Sequence, residues 1–180
     1  MARKSYKKRY YRRKGRWSSN IKTITDNSIS IPSNSSFYGS QDLCGNPIQT
    51  DSTVSQQYTV KNIELTFEID MKNVSVAASV ECLVGYIMFV PQGMTVTETY
   101  PNTHPEYIMA YKFIGSPTID DTVNSAPVQN PRLPVRIKTR MARRLQTGDK
   151  IILLITGSNL STTTSVLYVN GLIRWWTKAN

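Results

Sequence analysis

The chain has 180 residues and a mass of 20.4 kDa, enough for one sizeable core, because a domain of about 150 residues buries roughly 70% of its unfolded surface. Its 22 Lys and Arg residues outnumber its 12 Asp and Glu residues, so the net charge is +10 and an anionic partner is expected. The longest apolar run, residues 82–90, is far shorter than the roughly 20 residues that span a bilayer, so no membrane insertion is expected. No apolar segment follows the basic start, which argues against a secretory signal.

The basic charge is concentrated at the start of the sequence. Nine cations and no acidic residue lie within residues 1–16, and the rest of the chain carries a net charge of only about +1. A segment this charged and this poor in aliphatic side chains cannot offset the entropy lost when its backbone is ordered. Residues 1–17 are therefore expected to form an arm that is disordered without nucleic acid, and residues 18–180 to form the folded domain.

Aromatic side chains are interleaved with the cations of this arm. Aromatic rings stack on unpaired bases while Lys and Arg neutralise phosphates, and such stacking contributes roughly 1–3 kcal/mol per base. The pattern favours single-stranded nucleic acid over a membrane surface, and over a role in nuclear import alone, which a Lys/Arg cluster also suggests. The candidate nucleic-acid-binding residues are Arg3, Lys4, Lys7, Lys8, Arg9, Tyr10, Tyr11, Arg12, Arg13, Lys14, Arg16 and Trp17.

Residues 18–57 are polar and rich in Ser, Thr and Asn. Four isoleucines in a weak alternation predict a short strand over residues 21–31. The stretch PSNSSFYGSQDLCGNP, residues 32–47, contains two prolines and two glycines and is predicted to be a loop.

From residue 58 onward, hydrophobic residues recur with a period of two. This alternation predicts a half-buried strand over residues 60–70, and the apolar run at 80–90 predicts a strand covered on both faces. Further strands are predicted at 107–115, 133–142, 150–157 and 165–177, with an additional one between 70 and 80.

Short strands without intervening helices predict an all-β fold. Connections of very unequal length favour a single jelly-roll sandwich of about eight antiparallel strands, with an OB-like barrel as the structural alternative. The irregular stretches 91–106 and 116–132 hold six of the nine prolines, and loops of this length are usually functional or covered by a partner.

Catalytic chemistry has little support in the sequence. His104 is the only histidine, and its position between Thr103 and Pro105 favours a structural hydrogen-bonding role over that of a general base. Cys44 and Cys82 lack the spacing of a zinc site or a disulfide framework, and a reduced intracellular compartment fits them. No phosphate-binding motif is present. We expect no enzyme activity, no catalytic residue, no metal and no cofactor.

A second basic segment lies between residues 132 and 150. It holds seven cations and one acid, whereas residues 17–131 hold four cations and 11 acids. This asymmetry predicts either a surface that faces an anion or salt bridges between the two regions.

Three motifs carry a resemblance to a known family. GYIMFVPQG (85–93), HPEYIMAYKFIGSP (104–117) and RIKTRMARRLQTGDKIILLITGSN (136–159), after a basic Tyr-rich start, resemble capsid proteins of small circular Rep-encoding single-stranded DNA viruses, the circovirus-like group. The resemblance covers roughly residues 80–159 and, in composition, the arm. The arm is short and mixes Lys and Tyr with its arginines.

The resemblance implies a jelly roll that assembles with identical subunits into a small icosahedral shell around a single-stranded DNA genome. It also implies a host nuclear import receptor, a location in the host nucleus during assembly and then in the virion, and a host attachment factor that the sequence does not identify. About sixty copies would bring ~540 positive charges to the interior through their arms. The alternative is a non-capsid single-stranded nucleic-acid-binding protein with an OB-like barrel.

Overall fold

The computed structural model describes residues 16–46, 57–72, 80–115, 134–160, 162 and 164–179. These residues form nine β-strands, one α-helical turn and one 3₁₀ turn. The strands are β1 (Ser18–Ile31), β2 (Ser35–Gly45), β3 (Tyr58–Lys72), β4 (Val80–Val90), β5 (Ile108–Gly115), β6 (Val135–Thr139), β7 (Arg143–Leu145), β8 (Lys150–Asn159) and β9 (Ser165–Ala179). The helical turn α1 spans Tyr100–Thr103 and the 3₁₀ turn spans Pro105–Tyr107.

The strands form two antiparallel sheets. The first sheet has the order β1-β9-β3-β6, with β7 also paired to β3, and the second has the order β2-β8-β4-β5. The chain passes from one sheet to the other at each step from β1 to β4, and β6 and β7 together occupy one strand position. This interleaved order of two four-stranded layers is that of a jelly roll, so the predicted fold class is confirmed. The alternative of an OB-like barrel is wrong, because an OB fold is one five-stranded, partly open barrel rather than two separate layers.

The main core lies between the two sheets. Ile63, Leu65 and Phe67 of β3 point inward from the first sheet, and the alternate residues of β8, Ile151 and Leu153, meet them from the second. Each large aliphatic side chain fully buried in this way stabilises the fold by about 1.5–3 kcal/mol. The period-two pattern predicted for β3 therefore corresponds to a strand with one buried face.

A second, smaller core covers the outer face of the second sheet. Tyr100 of α1 packs there on Met88 and Val90 of β4 and on Ile152 and Leu154 of β8. The prediction that residues 80–90 are covered on both faces is confirmed for residues 83–90, whereas Cys82 is exposed. The cover comes from the chain's own segment 91–107, whereas the sequence had pointed to a functional loop or to coverage by a partner. The other long stretch, residues 116–132, lies outside the described residues.

The loop predicted for residues 32–47 is wrong, because Ser35–Gly45 is the edge strand β2 paired with β8. Its glycines gave a false turn signal. A Cβ atom at Gly39 would lie 2.3 Å from the side chain of Ile29, so this glycine allows β2 to approach β1 closely and does not form a turn. The polar residues of β2 lie mostly on its exposed positions.

The extra strand expected between residues 70 and 80 is absent from the described part of that range. Residues 70–72 end β3 and residue 80 begins β4, whereas residues 73–79 are not described. The other predicted strands are all present, and β1 and β9 are longer than predicted.

Candidate nucleic-acid interface

The predicted arm joins the folded domain at the edge of the first sheet. Arg16 and Trp17 are described and exposed, and β1 begins at the next residue. The other ten candidate residues, Arg3, Lys4, Lys7, Lys8, Arg9, Tyr10, Tyr11, Arg12, Arg13 and Lys14, lie outside the described residues, so their role as an arm remains a prediction.

Trp17 contacts a cation of the folded domain. The Nζ atom of Lys61 lies 3.9 Å from the centroid of the Trp17 ring. Lys61 is on β3 and Trp17 precedes β1, so the lysine side chain reaches across β9, which lies between these strands. A register shift between Lys61 and Glu64 allows both of these residues to face outward while Val60 and Ile63 stay buried.

A second ring and cation lie beside this pair. Along β9 the side chains alternate between faces, so Trp175 packs against the core and Trp176 points outward. The Cζ atom of Arg174 lies 4.7 Å from the centroid of the Trp176 ring. The Nε atom of Arg174 also donates a hydrogen bond of 3.4 Å to Oγ of Ser19, which ties β9 to β1.

Among the side chains that the structure describes, six cations occupy outward positions on this sheet, and we call this surface the basic face. On β6, the buried residues Val135, Ile137 and Thr139 alternate with exposed cations. The acids at outward positions with described side chains are Glu64 and Glu68. The cations of the basic face are Lys61, Arg136, Lys138, Arg144, Arg174 and Lys178.

Ion pairs use part of the second basic segment. Lys138 lies 3.2 Å from Glu64, and Lys150 lies 3.2 Å from Asp42. Both pairs are exposed, and exposed pairs typically contribute less than about 1 kcal/mol. The salt-bridge interpretation of residues 132–150 therefore holds for Lys138 and Lys150. Arg136 and Arg144 lie on the basic face, and that this face meets an anion stays a prediction.

In each pair of ring and cation, a nucleotide base can replace the cation on the aromatic ring. An exposed cation–π contact contributes about 0.5–1 kcal/mol, whereas stacking of a base on an aromatic ring contributes about 1–3 kcal/mol. A base that displaces the cation from the ring therefore gains stacking energy. A Lys or Arg displaced in this way would be available to neutralise a phosphate.

An open cleft of about 490 Å³ lies where the arm enters, lined by Arg16, Asn20, Cys44, Tyr58 and neighbouring residues. The hydroxyl of Tyr58 donates a hydrogen bond to the carbonyl oxygen of Gly45. Burial raises the pKa of Tyr58 and that of Cys44 to about 12 each. Both groups are therefore neutral at physiological pH, and the cleft supplies no activated nucleophile.

The surroundings of His104 agree with the predicted structural hydrogen-bonding role. It lies between α1 and the 3₁₀ turn, its ring stacks on Tyr107 at a centroid distance of 5.4 Å, and its Nδ1 atom lies 3.3 Å from Oε1 of Glu106. Within the described ranges, no three His, Cys, Asp or Glu residues are grouped so that they could hold a metal ion. None of the helices described is long and apolar enough to cross a membrane.

Lys61, Arg174, Trp176 and Lys178 were not among the residues predicted from sequence. Because side chains alternate along a strand, the strand predicted over residues 165–177 does place Arg174 and Trp176 on the same face. It could not show that this face is shared with Trp17, because the pairing of β1 with β9 and of β9 with β3 joins residues that are 94 or more positions apart in the sequence.

No protein-family model matches the chain, and no curated protein matches it. Among solved structures, the chain is similar to one from the structure of maize chlorotic mottle virus determined by single particle analysis. That alignment has 9% identity and a TM-score of 0.38, and covers 90% of this chain and 93% of that chain. A crystal structure of a decameric BFDV capsid protein aligns with 9% identity and a TM-score of 0.28, covering 91% of this chain and 96% of the other. At these TM-scores, the fold assignment rests on the strand order itself and the function on the geometry of the site.

Proposed function

We propose that the protein is a viral capsid protein that self-assembles into a small icosahedral shell and packages a single-stranded DNA genome through its basic N-terminal arm, residues 1–17. The observation that carries the proposal is the position of the arm's root. Arg16 and Trp17 enter a jelly-roll sandwich at the edge of the basic face, which supports a binding surface for a polyanion that continues from this face into the arm.

Self-assembly has support on the opposite side of the sandwich. Tyr111 and Phe113 of the edge strand β5 are 69% and 61% exposed, and Tyr38 of the other edge strand is 43% exposed. Contiguous exposed apolar patches mark protein–protein contacts, and Tyr111 and Phe113 lie two positions apart on one edge strand, so this edge is the candidate contact. Contacts between identical copies close into a shell only when they repeat by symmetry, which a rigid two-layer sandwich allows.

The charge of the arm suits a packaged genome. Nine cations in each of about sixty arms would neutralise ~540 phosphates, and the basic face would add further neutralisation at the inner wall. Nuclear import of the new subunit through the Lys/Arg cluster, and final residence in the virion, belong to the same proposal.

The second candidate function is that of a non-capsid single-stranded nucleic-acid-binding protein, now on a jelly-roll scaffold. The basic face favours it, because a small binding protein would carry cations and aromatic rings on its folded body in this way. The two candidates differ in the mass of the purified protein, which is large only for a shell.

The test of packaging is a variant in which the nine cations of residues 3–16 are replaced by Gln, which keeps the length of the chain. Deletion of residues 2–16 serves as a second variant. We expect both variants to fold and to form particles, because the jelly roll lies outside the altered segment, while the ratio of absorbance at 260 nm to that at 280 nm falls. Particles with unchanged nucleic-acid content would contradict the packaging role of the arm.

A further inference from the structure

Two tryptophan rings lie on the basic face: Trp17, the last residue of the arm, and Trp176 of β9, which the arm does not include. Trp176 lies in register with Ser19 on β1 and with Lys61 on β3, so a small side chain stands on one side of the ring and a cation on the other. Trp17 is displaced by two residues from Ser19, and diagonal positions on neighbouring strands are about 7–8 Å apart, within reach of aromatic side chains. The two rings and their cations therefore form one cluster.

We propose that this cluster is a second binding site on the folded domain, specific for unpaired nucleotides, in which a base stacks on Trp176 and Arg174 contacts its phosphate. Trp17 and Lys61 provide the equivalent pair for a neighbouring nucleotide. This inference rests on the proposed function and deepens it, since it assigns part of the binding of single-stranded nucleic acid to the jelly roll rather than to the arm alone.

The choice of ligand follows from the pairing of ring with cation. A polyanion without bases can use only the cations, and a duplex keeps its bases stacked inside the helix, so neither can use the rings. Unpaired bases can use both groups at once. An acidic peptide or an anionic membrane would likewise engage the cations without stacking on the indoles.

Trp175 and Trp176 allow a matched test, since they are adjacent on β9 and face opposite sides of the sheet. In the full-length protein, W17F/W175F leaves Trp176 as the only tryptophan, and W17F/W176F leaves only Trp175. Titration with oligo(dT) is expected to quench the fluorescence of Trp176 several-fold more than that of Trp175. Equal quenching of the two, or no quenching of Trp176 while fluorescence anisotropy reports bound oligo(dT), would overturn the proposal.

The ligand class is tested with heparin, duplex DNA, poly-glutamate and anionic lipid vesicles on the Trp176-only protein. We expect each to leave Trp176 fluorescence nearly unchanged. Quenching by any of them to the extent seen with oligo(dT) would make the cluster a general anion site or a membrane site, and would overturn specificity for unpaired nucleotides.

Affinity provides an independent measurement. In a background that carries the nine Gln substitutions in the arm, W176A is expected to weaken oligo(dT) binding by about 5-fold to 100-fold, whereas W176F retains most of the affinity because it keeps a ring. Equal affinities for W176A and W176F, with unchanged unfolding midpoints, would contradict stacking.

The failure of this site can be distinguished from the failure of the proposed shell. If oligo(dT) quenches Trp176 in a protein that never forms particles, the shell is contradicted and the binding site is supported. If the protein forms particles but Trp176 is not quenched, the shell is supported and the binding site is contradicted.

Discussion

At the scale of single residues, the two cysteines differ in environment. Cys44 is buried beside the arm's root and Cys82 is exposed, and both are free thiols. Burial raises the pKa of Cys44 to about 12, and nearby Lys22 only partly opposes this effect. Because a raised pKa keeps the thiol protonated, Cys44 holds almost no reactive thiolate at pH 8.

We therefore expect a disulfide reagent such as Ellman's reagent to label one thiol per native chain at pH 8, and two after unfolding in urea. In the control variant Cys82→Ser, native labelling is expected to be nearly absent. Rapid labelling of native Cys82→Ser would show that Cys44 is accessible and ionised, in conflict with its burial.

Gly171 is a residue whose lack of a side chain determines strand packing. A Cβ atom there would lie 2.6 Å from the carbonyl oxygen of Thr66 and 2.6 Å from Cβ of Phe67. The end of a long side chain could move to relieve such a contact, but the backbone of β3 cannot. Gly171→Ala therefore forces β9 away from β3. The expected loss in the free energy of unfolding is about 1–3 kcal/mol, measured by urea denaturation.

Gly45→Ala is the matched control for this prediction. The nearest atoms to its added Cβ lie 3.3 and 3.4 Å away, so only a small adjustment is required. A Gly171→Ala variant as stable as Gly45→Ala would contradict the close approach of β9 to β3.

At the scale of elements, the segment 91–107 acts as a fixed cover on the second sheet. Tyr100 is 2% exposed, and Arg143 on β7 donates a hydrogen bond of 2.5 Å to the carbonyl oxygen of Glu106, which joins the 3₁₀ turn to the first sheet. The Arg143 guanidinium also lies 5.6 Å from the ring centroid of Phe89. Segment 91–107 is thus fixed by contacts with residues of both sheets.

Tyr100→Ala is expected to lower the free energy of unfolding by about 3–5 kcal/mol, because it leaves a cavity above Met88 and Ile152. Tyr100→Phe keeps the ring and loses only a long hydrogen bond of 3.5 Å to Phe89, so its loss should stay below about 1.5 kcal/mol. Urea denaturation measures both. Similar stabilities for the two variants would mean that the cover does not depend on this ring.

The elements that could be predicted from sequence are those with a local signal. The alternation in β3 and β6 and the apolar runs of β4 and β8 identified their strands, and the unequal connections identified the jelly roll. β2 was missed because its inward positions include Gly39, which a local pattern cannot distinguish from a turn. The cluster of Trp17 and Trp176 was missed because it exists only after β1, β9 and β3 are aligned.

At the scale of the whole molecule, the folded domain has a net charge near zero, but its acidic and basic residues lie on different parts of the sandwich. The acids Glu98 and Glu106 lie in the segment that covers the second sheet, and the basic face lies on the first. In the proposed shell, the cationic surface would face the polyanion, and the exposed aromatic residues of the other sheet, Tyr38, Tyr111 and Phe113, would lie at protein contacts. This polarity is what the proposed shell requires of each subunit.

The most direct test of the account is the mass of the purified full-length protein, measured by light scattering after size exclusion and checked by negative-stain imaging. We predict closed particles on the order of 1.2 MDa, the mass of about sixty chains of 20.4 kDa, with nucleic acid inside. A protein that stays a monomer or small oligomer across salt, pH and added single-stranded DNA would contradict the shell, and would leave the smaller nucleic-acid-binding protein as the remaining candidate.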